Sequence, residues 1–440
     1  MKTLTNFFVR LVQRFLPDAF IFAIILTFIV FVLGILFTNN GPVDMVSYWG
    51  KGFWDLLAFT MQMTLVVVTG YVLANAPVIK NFLVRLSRLA KTPAHAVMLV
   101  TFVASIACLI NYGFGLVVGA LFAIHVARQV PSADFRILVA GAYSGFLVWH
   151  GGFSGSIPLT VATPGHFLEE QMGVIPVSET LFSPTNLFIV AALVITLPIF
   201  NRFLMNSSNT LTEDRSHWVF PDETVPKKEE AIPSTPAEKI ENSVTVSMLM
   251  GILGLCFIVY HFVTKGFDLN INIVNFIFLI LGILLHKTPK QFLNTVTNGV
   301  KNAGGIIIQF PFYAGIMGMV TLSGLSEQIA SWFLTFSNEH TLPFFSFLSS
   351  GIINIFVPSG GGQWAVQGPI MIDAALAIHA DIAKTAMGVA WGDAWTNMIQ
   401  PFWALPALAI AGLHIRDIMG FCVMILIYSF IPIAIGLLLL

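Results

Sequence analysis

The residues best suited to do chemistry sit in a run that an ordinary helix would not contain: Asn354-Ile-Phe-Val-Pro358-Ser359-Gly360-Gly361-Gly362-Gln363-Trp364. Pro358 lacks an N–H and fixes its own φ. Three consecutive glycines let a ligand come close to the backbone. In hydrocarbon every bare backbone group is costly, so such a run is tolerable only where it lines a polar cavity. A helix resuming at Gln363 would turn free N–H groups and its positive end toward that cavity, which suits an anion. Ser359, Gly360, Gly361, Gly362 and Gln363 are therefore candidate substrate-binding residues. The plainer alternative is a bend packed against a neighbouring helix.

Three further stretches share this character. Asn111-Tyr112-Gly113-Phe114-Gly115 would be a packing contact if it stood alone. Trp149-His150-Gly151-Gly152-Phe153-Ser154-Gly155-Ser156-Ile157-Pro158 interrupts one long apolar run. Trp391-Gly392-Asp393-Ala394-Trp395-Thr396-Asn397-Met398-Ile399-Gln400-Pro401 interrupts another. Asn111, Gly113, Gly115, Ser154, Gly155 and Ser156 join the substrate-binding candidates. Asn111, Asn354, Asp393, Thr396 and Asn397 offer oxygens and amides that could dress a coupling ion such as Na+. Asp393 is the one ionisable residue deep in its run, and a charge inside a membrane is functional by default. It could ligate sodium, carry a proton, or be a satisfied carboxylate at a cavity mouth. His150 reads as a hydrogen-bonded spectator, and Gln62 and Gln309 as braces between helices. Trp364, Trp391, Trp395 and Trp403 could wall an apolar pocket or simply pack.

The elements that must hold these residues are membrane helices. Hydrophobic residues make up 56% of the 440-residue chain and charged residues 10%, against about 25% charged in soluble domains. Long uncharged stretches without strand-like alternation favour a helical bundle over a barrel. A net charge of -1 makes nucleic acid an unsuitable partner. No His-Glu-x-x-His, P-loop or spaced Cys/His cluster occurs, which weighs against an embedded enzyme, an ATP-driven pump and a transition-metal site. Cys108, Cys256 and Cys422 lie in apolar segments and read as small core residues. The apolar run 19–37 follows Lys2, Arg10 and Arg14 but has no cleavage-like site after it, so it reads as a retained first span.

The chain also repeats itself. Gly34 in Phe31-Val-Leu-Gly-Ile-Leu36 reappears 248 residues on as Gly282 in Leu279-Ile-Leu-Gly-Ile-Leu284. Gly52 and Gln62 match Gly299 and Gln309 at 247; Phe102 and Asn111 match Phe345 and Asn354 at 243. Trp149 and Pro158 match Trp391 and Pro401 at 242 and 243. Duplicated apolar halves, interrupted at matching places by Gly and Pro, are the mark of a secondary transporter whose site lies where the copies meet.

Flanking charges orient the spans. The run 92–127 is basic at both ends and reads as a re-entrant hairpin (about 95–127) from the cytoplasmic side. The run 340–372 is acidic at both ends and reads as a hairpin (about 342–372) from outside. Runs with unlike flanks read as broken crossings, about 137–163 and 385–413. The expected fold is an all-α polytopic membrane protein with two inverted-topology repeats. It has about nine transmembrane helices, two hairpins and two broken helices. The first repeat covers 1–205, a polar cytoplasmic linker 206–242, a connecting span 243–265, and the second repeat 266–440. This topology puts 18 of the 21 Lys and Arg residues on the cytoplasmic side, with only Lys51, Lys265 and Lys384 outside. The N-terminus is then cytoplasmic and the C-terminus periplasmic.

At these residues the chain resembles the short-chain fatty acid transporter family of bacterial inner membranes. The resemblance rests on Leu16-Pro-Asp-Ala-Phe-Ile-Phe-Ala, Gly52-Phe-Trp-Asp-Leu-Leu-Ala-Phe, Asn111-Tyr-Gly-Phe-Gly-Leu-Val-Val-Gly-Ala, Gly151-Gly-Phe-Ser-Gly-Ser, Gln309-Phe-Pro-Phe-Tyr-Ala-Gly-Ile, Val357-Pro-Ser-Gly-Gly-Gly-Gln-Trp and Gln400-Pro-Phe-Trp-Ala-Leu-Pro-Ala-Leu-Ala-Ile-Ala-Gly. It covers nearly the whole chain outside the linker. The family is similar to a wider ion transporter superfamily that places substrate and cations at two opposed hairpins. The resemblance implies uptake of small monocarboxylates such as acetoacetate or butyrate with Na+ or H+. By superfamily analogy alone, a homodimer is an open expectation. The residues agree on substrate class: the broken segments hold no Arg or Lys to take a second carboxylate. A dicarboxylate or other organic-anion symporter, or an uncoupled anion channel, is the alternative.

Overall fold

The computed structural model describes residues 19–207, 235–355 and 357–440, which form helices and no strand. Lys2, Arg10, Arg14 and most of the 206–242 linker lie outside the described residues. The first half runs α1 (Ala19–Phe37), α2 (Pro42–Gly52), α3 (Leu57–Ala74), α4 (Pro77–Ser87), α5 (Pro93–Ile110) and α6 (Tyr112–Gln129). It continues with α7 (Phe135–Ser144), a 3-10 segment (Gly145–Gly151), α8 (Ser156–Val161), α9 (Glu169–Met172) and α10 (Pro184–Ser207). Then come α11 (Pro236–Glu241) and α12 (Val244–Lys265). The second half runs α13 (Ile271–His286), α14 (Pro289–Val300), α15 (Gly304–Leu322), α16 (Leu325–Phe333), α17 (Leu342–Ile353) and α18 (Gly360–Ile378). It ends with α19 (Ile382–Thr396), α20 (Pro401–Ala411) and α21 (Ile415–Leu439).

Local chemistry sets these boundaries. Thr92 caps α5 by accepting from His95 N, with Pro93 in the first turn, where its missing N–H costs nothing. Thr288 and Pro289 open α14 in the same way. Asp134 caps α7 through Arg136 N, and Asp381 caps α19 through Lys384 N. These two aspartates stand 247 residues apart, so both broken runs begin on matched caps. Among the described residues, seven helices are long and apolar enough to cross a membrane, and three shorter ones are apolar. α12 is mostly exposed along its length, as expected of a helix facing lipid, and Cys256 lies on that exposed side rather than in the core.

The packing follows the duplication. α1 and α2 pack on α15, while α13 and α14, their counterparts, pack on α3. α3 packs on α6 as α15 does on α18, and α5 packs on α7 and the 3-10 segment as α17 does on α19. The matched glycines show the exchange in detail. Gly52 abuts Ala314 and Gly318 of α15, whereas Gly299 abuts Val68 and Tyr71 of α3. Gln62 braces as anticipated: its amide donates to Asn272 Oδ1 at 2.8 Å, and its backbone carbonyl accepts from Asn275 at 2.9 Å. Four short helices, α2, α4, α14 and α16, were not anticipated from the apolar runs. Each is amphipathic, and α2 and α14 are 247 residues apart.

The broken runs meet their hairpins through small residues, which let helix backbones approach in lipid. A Cβ on Gly145 would sit 2.6 Å from Ala104 C and Ser105 N of α5. Gly392 backs onto Phe347 and Ser350 of α17 in the corresponding interface. Gly145→Leu should therefore prevent folding, because the obstacle is backbone rather than a movable side chain. The expected result is aggregated material on size-exclusion chromatography in detergent. Gly304→Leu, which meets nothing within 4 Å, should elute like the parent.

Candidate functional site

The tip between α5 and α6 is closed by its own residues. Asn111 is fully buried and caps α6: its Oδ1 accepts from Phe114 N at 2.9 Å, and its Nδ2 donates to Val66 O at 3.2 Å. Ser154 Oγ accepts from Tyr112 N at 2.8 Å. Gly113 lies against Val67 of α3, and Gly115 lies against Cys108 across the hairpin. Gly155 packs on the His150 carbonyl, and Ser156 opens α8 as a buried residue. A half-open cavity of about 250 Å³ beside Ile110 and Phe153 is lined by apolar residues, and no candidate residue reaches it.

The tip between α17 and α18 is arranged differently. Ser359 caps α18 only at 3.5 Å, from Gly362 N, and the first-turn N–H groups have no carbonyl of their own helix to bond. Gly360 lies against His150 Nε2, and a Cβ there would also come within 2.8 Å of Trp149 Cη2. Gly361 faces Phe59 and Phe310; Gly362 faces Tyr313. The Gln363 amide donates to Ser350 O at 2.9 Å, to Gln367 Oε1 at 3.0 Å and to Ser350 Oγ, tying α18 to α17.

α19 completes the site. Asn354 Nδ2 reaches Asp393 O at 3.0 Å, Thr396 Oγ1 at 3.0 Å and Asn397 Oδ1 at 2.9 Å, so it pins the tip to the end of α19. Asn397 Nδ2 donates to Asp393 Oδ2 at 3.3 Å. Asp393 Oδ2 also lies 3.1 Å from His150 Nε2, and both side chains are fully buried. The Tyr143 hydroxyl donates to Asn397 O at 2.6 Å, another tie between the halves.

One indole contacts both tips: the Tyr112 ring lies 4.8 Å from Trp149, and a Cβ on Gly360 would come within 2.8 Å of Trp149 Cη2. Phe146 stacks on Trp149 at 5.4 Å and an interplanar angle of 6°. The structure thus brings Ser359, Gly360, Asn354, Asp393, Thr396 and Asn397 into one neighbourhood. Asn111, Gly113, Gly115 and Ser154 belong to the first tip, where the Asn111 and Ser154 side chains are engaged in the fold, and Ser156 opens α8. Trp395 donates to Leu426 O at 2.8 Å and is a packing residue.

Several buried polar atoms here have no partner among the described residues: Asp393 Oδ1, His150 Nδ1, Asn354 Oδ1, Gln363 Oε1 and the indole nitrogens of Trp149, Trp364 and Trp391. Buried polar groups are normally satisfied, so a concentration of orphans marks where water, an ion or a ligand belongs. Acceptors and donors are both present, which suits a carboxylate together with a cation. Three or more metal-ligating His, Cys, Asp or Glu side chains do not cluster among the described residues. His150, which reads from sequence as a spectator, stands within this cluster, against Asp393. Its signal was the 243-residue offset, which carries His150 onto Asp393.

Comparison with known proteins identifies the family and the fold. The family model described as "Short chain fatty acid transporter" matches residues 1–440. A protein of Escherichia coli (strain K12), provisionally named a short-chain fatty acid transporter, is 47% identical over 435 residues, 99% of this chain and 98% of its own. A Haemophilus influenzae protein of the same provisional name is 47% identical over 436 residues, 98% of this chain and 97% of its own. Among solved structures, the Alcanivorax borkumensis YdaH transporter superposes with a TM-score of 0.59 at 15% identity, covering 96% of this chain and 97% of its own. The Neisseria gonorrhoeae MtrF protein, described with a class of antimetabolite efflux pumps, gives 0.51 at 14%, covering 98% and 97%. These two likenesses concern the fold. With the family model spanning every residue and two relatives matched almost end to end, this chain belongs to the short-chain fatty acid transporter family.

Proposed function

We propose that the chain is a secondary active transporter that takes up short-chain monocarboxylates, of the butyrate and acetoacetate kind, by cation symport with alternating access. The observation that carries this reading is the group of orphaned buried polar atoms beside the loosely capped start of α18. The carboxylate accepts hydrogen bonds from the first-turn N–H groups of α18, where the helix dipole favours an anion. The short tail lies along aromatic surface near Trp149, each buried CH₂ contributing about 0.8 kcal/mol. Asn354, Asp393, Thr396 and Asn397, with His150 against Asp393, form the cation side of the site, where Asp393 Oδ1, Asn354 Oδ1 and His150 Nδ1 have no partner among the described residues. A second substrate carboxylate would find no Lys or Arg in the broken segments.

In this reading the matched halves are inverted repeats in a bacterial inner membrane, with the N-terminus cytoplasmic and the C-terminus periplasmic. The crossed packing of α1 and α2 on α15, and of α13 and α14 on α3, supports a twofold relation. The chain performs no chemistry on its cargo. Counterflow of labelled butyrate in proteoliposomes tests the assignment. Unlabelled butyrate and acetoacetate should compete, succinate should not, and the label should be recovered chemically unchanged. Preference for succinate, or flux without counterflow, would contradict it.

A further inference from the structure

His150 and Asp393 are counterparts in the duplicated sequence. They stand 243 residues apart, the same offset that relates Asn111 to Asn354 and Pro158 to Pro401. They also touch, with His150 Nε2 3.1 Å from Asp393 Oδ2. In a twofold arrangement a residue meets its own counterpart only near the axis relating the copies. The one ionisable pair in the two broken runs therefore lies at the joint between the halves, where any rocking motion would strain or release it.

With Asp393 ionised, its carboxylate only accepts, so Nε2 carries the hydrogen and Nδ1 keeps a lone pair with no partner among the described residues. Gly360 stands against the same imidazole, which sets His150 beside the start of α18. Tyr112 on α6 and Tyr143 on α7 are titratable groups that interact with Asp393, and Cys108 on α5 and Cys422 on α21 interact with Tyr143. His95 and Arg136 open α5 and α7, and His125 and Arg128 lie toward the end of α6. Arg202 lies toward the end of α10, Lys384 opens α19, Asp373 lies toward the end of α18, and Arg416 and Asp417 open α21. Among the described residues no Lys or Arg is paired with Asp393.

We propose, on the monocarboxylate reading above, that the coupling ion is a proton and that His150 Nδ1 takes it up as the substrate carboxylate binds. The empty pair carries one negative charge, on Asp393. A carboxylate arriving alone would place a second negative charge in the same buried site, which is strongly unfavourable. With the carboxylate comes one proton from water. An N–H bond forms at Nδ1, no substrate bond breaks, and Asp393 holds the imidazolium from the other side. The site's net charge is the same loaded and empty, so carboxylate and proton cross together and the cycle is electroneutral.

The test is calorimetric titration of the full-length protein in detergent with butyrate at neutral pH. It is repeated in buffers of different ionisation enthalpy, and in sodium or choline chloride. The expected result is uptake of one proton per butyrate in either salt, with affinity rising as pH falls. His150→Gln keeps an N–H donor toward Asp393 and has no basic nitrogen. It should still bind, about tenfold or more weaker, with no proton uptake and a flat pH profile. Sodium-dependent binding without proton uptake in the parent protein would overturn the proposal, with no variant needed. So would undiminished proton uptake in His150→Gln. If the parent protein binds neither butyrate nor acetoacetate, the monocarboxylate reading fails and this proposal fails with it.

Discussion

Gly360→Ala should lower the initial rate of butyrate uptake by up to about 100-fold while the protein still folds and inserts. The added Cβ would fall on the His150 ring and within 2.8 Å of Trp149 Cη2. Neither neighbour can step aside easily. His150 is held by Asp393 at 3.1 Å, and Trp149 is held between Phe146 at 5.4 Å and Tyr112 at 4.8 Å. Either the start of α18 backs away from the imidazole or the His150–Asp393 bond opens. Overpacking of this kind typically costs about 1–3 kcal/mol, and each 1.4 kcal/mol is about tenfold in a rate or a binding constant. Initial rates in proteoliposomes, normalised to folded protein, measure the loss. Gly304→Ala, placed where nothing lies within 4 Å, should keep the parent rate. A normal rate for Gly360→Ala would separate the start of α18 from the transport site.

Asn354→Ala should be nearly as damaging, for a different reason. One amide group reaches three acceptors at the end of α19 and on Asn397 just beyond it, and the side chain is fully buried. Each lost hydrogen bond costs about 1 kcal/mol, and stranded buried acceptors raise the total to about 2–4 kcal/mol. That energy holds the second tip against the end of α19, beside Asp393. The expected result is a fall in uptake of about 30-fold or more together with a lower melting temperature. Uptake and melting temperature of the variant in the same preparation check both. Unchanged uptake would mean that the tie between tip and α19 is dispensable.

The helices were legible in the sequence because long uncharged runs admit few other structures in lipid. α1 fills the apolar run 19–37, and α12 lies within the span 243–265. The breaks were legible through Pro158, Pro358 and Pro401 and the glycines around them. The short helices α2, α4, α14 and α16 escaped because each carries charge and is too short for a span. Their helical periodicity was present but did not match the pattern being sought. The asymmetry of the tips could not be read from sequence. Asn111 and Asn354 look equivalent by offset, yet one caps its own hairpin and the other reaches across to α19. His150 could have been matched to Asp393 by the 243-residue offset; that the two touch depends on the packing of α19 against the 3-10 segment.

The proposed site is one place, the neighbourhood where Gly360, Trp149, His150 and Asp393 meet. A structure determined with 4-bromobutyrate, using anomalous scattering to locate the bromine, tests it most directly. The account predicts a single bromine peak beside Trp149, with the carboxylate at the start of α18 and within hydrogen-bonding reach of His150 Nδ1. A peak confined to the Asn111 tip, or bound substrate with no contact to α18, would contradict it.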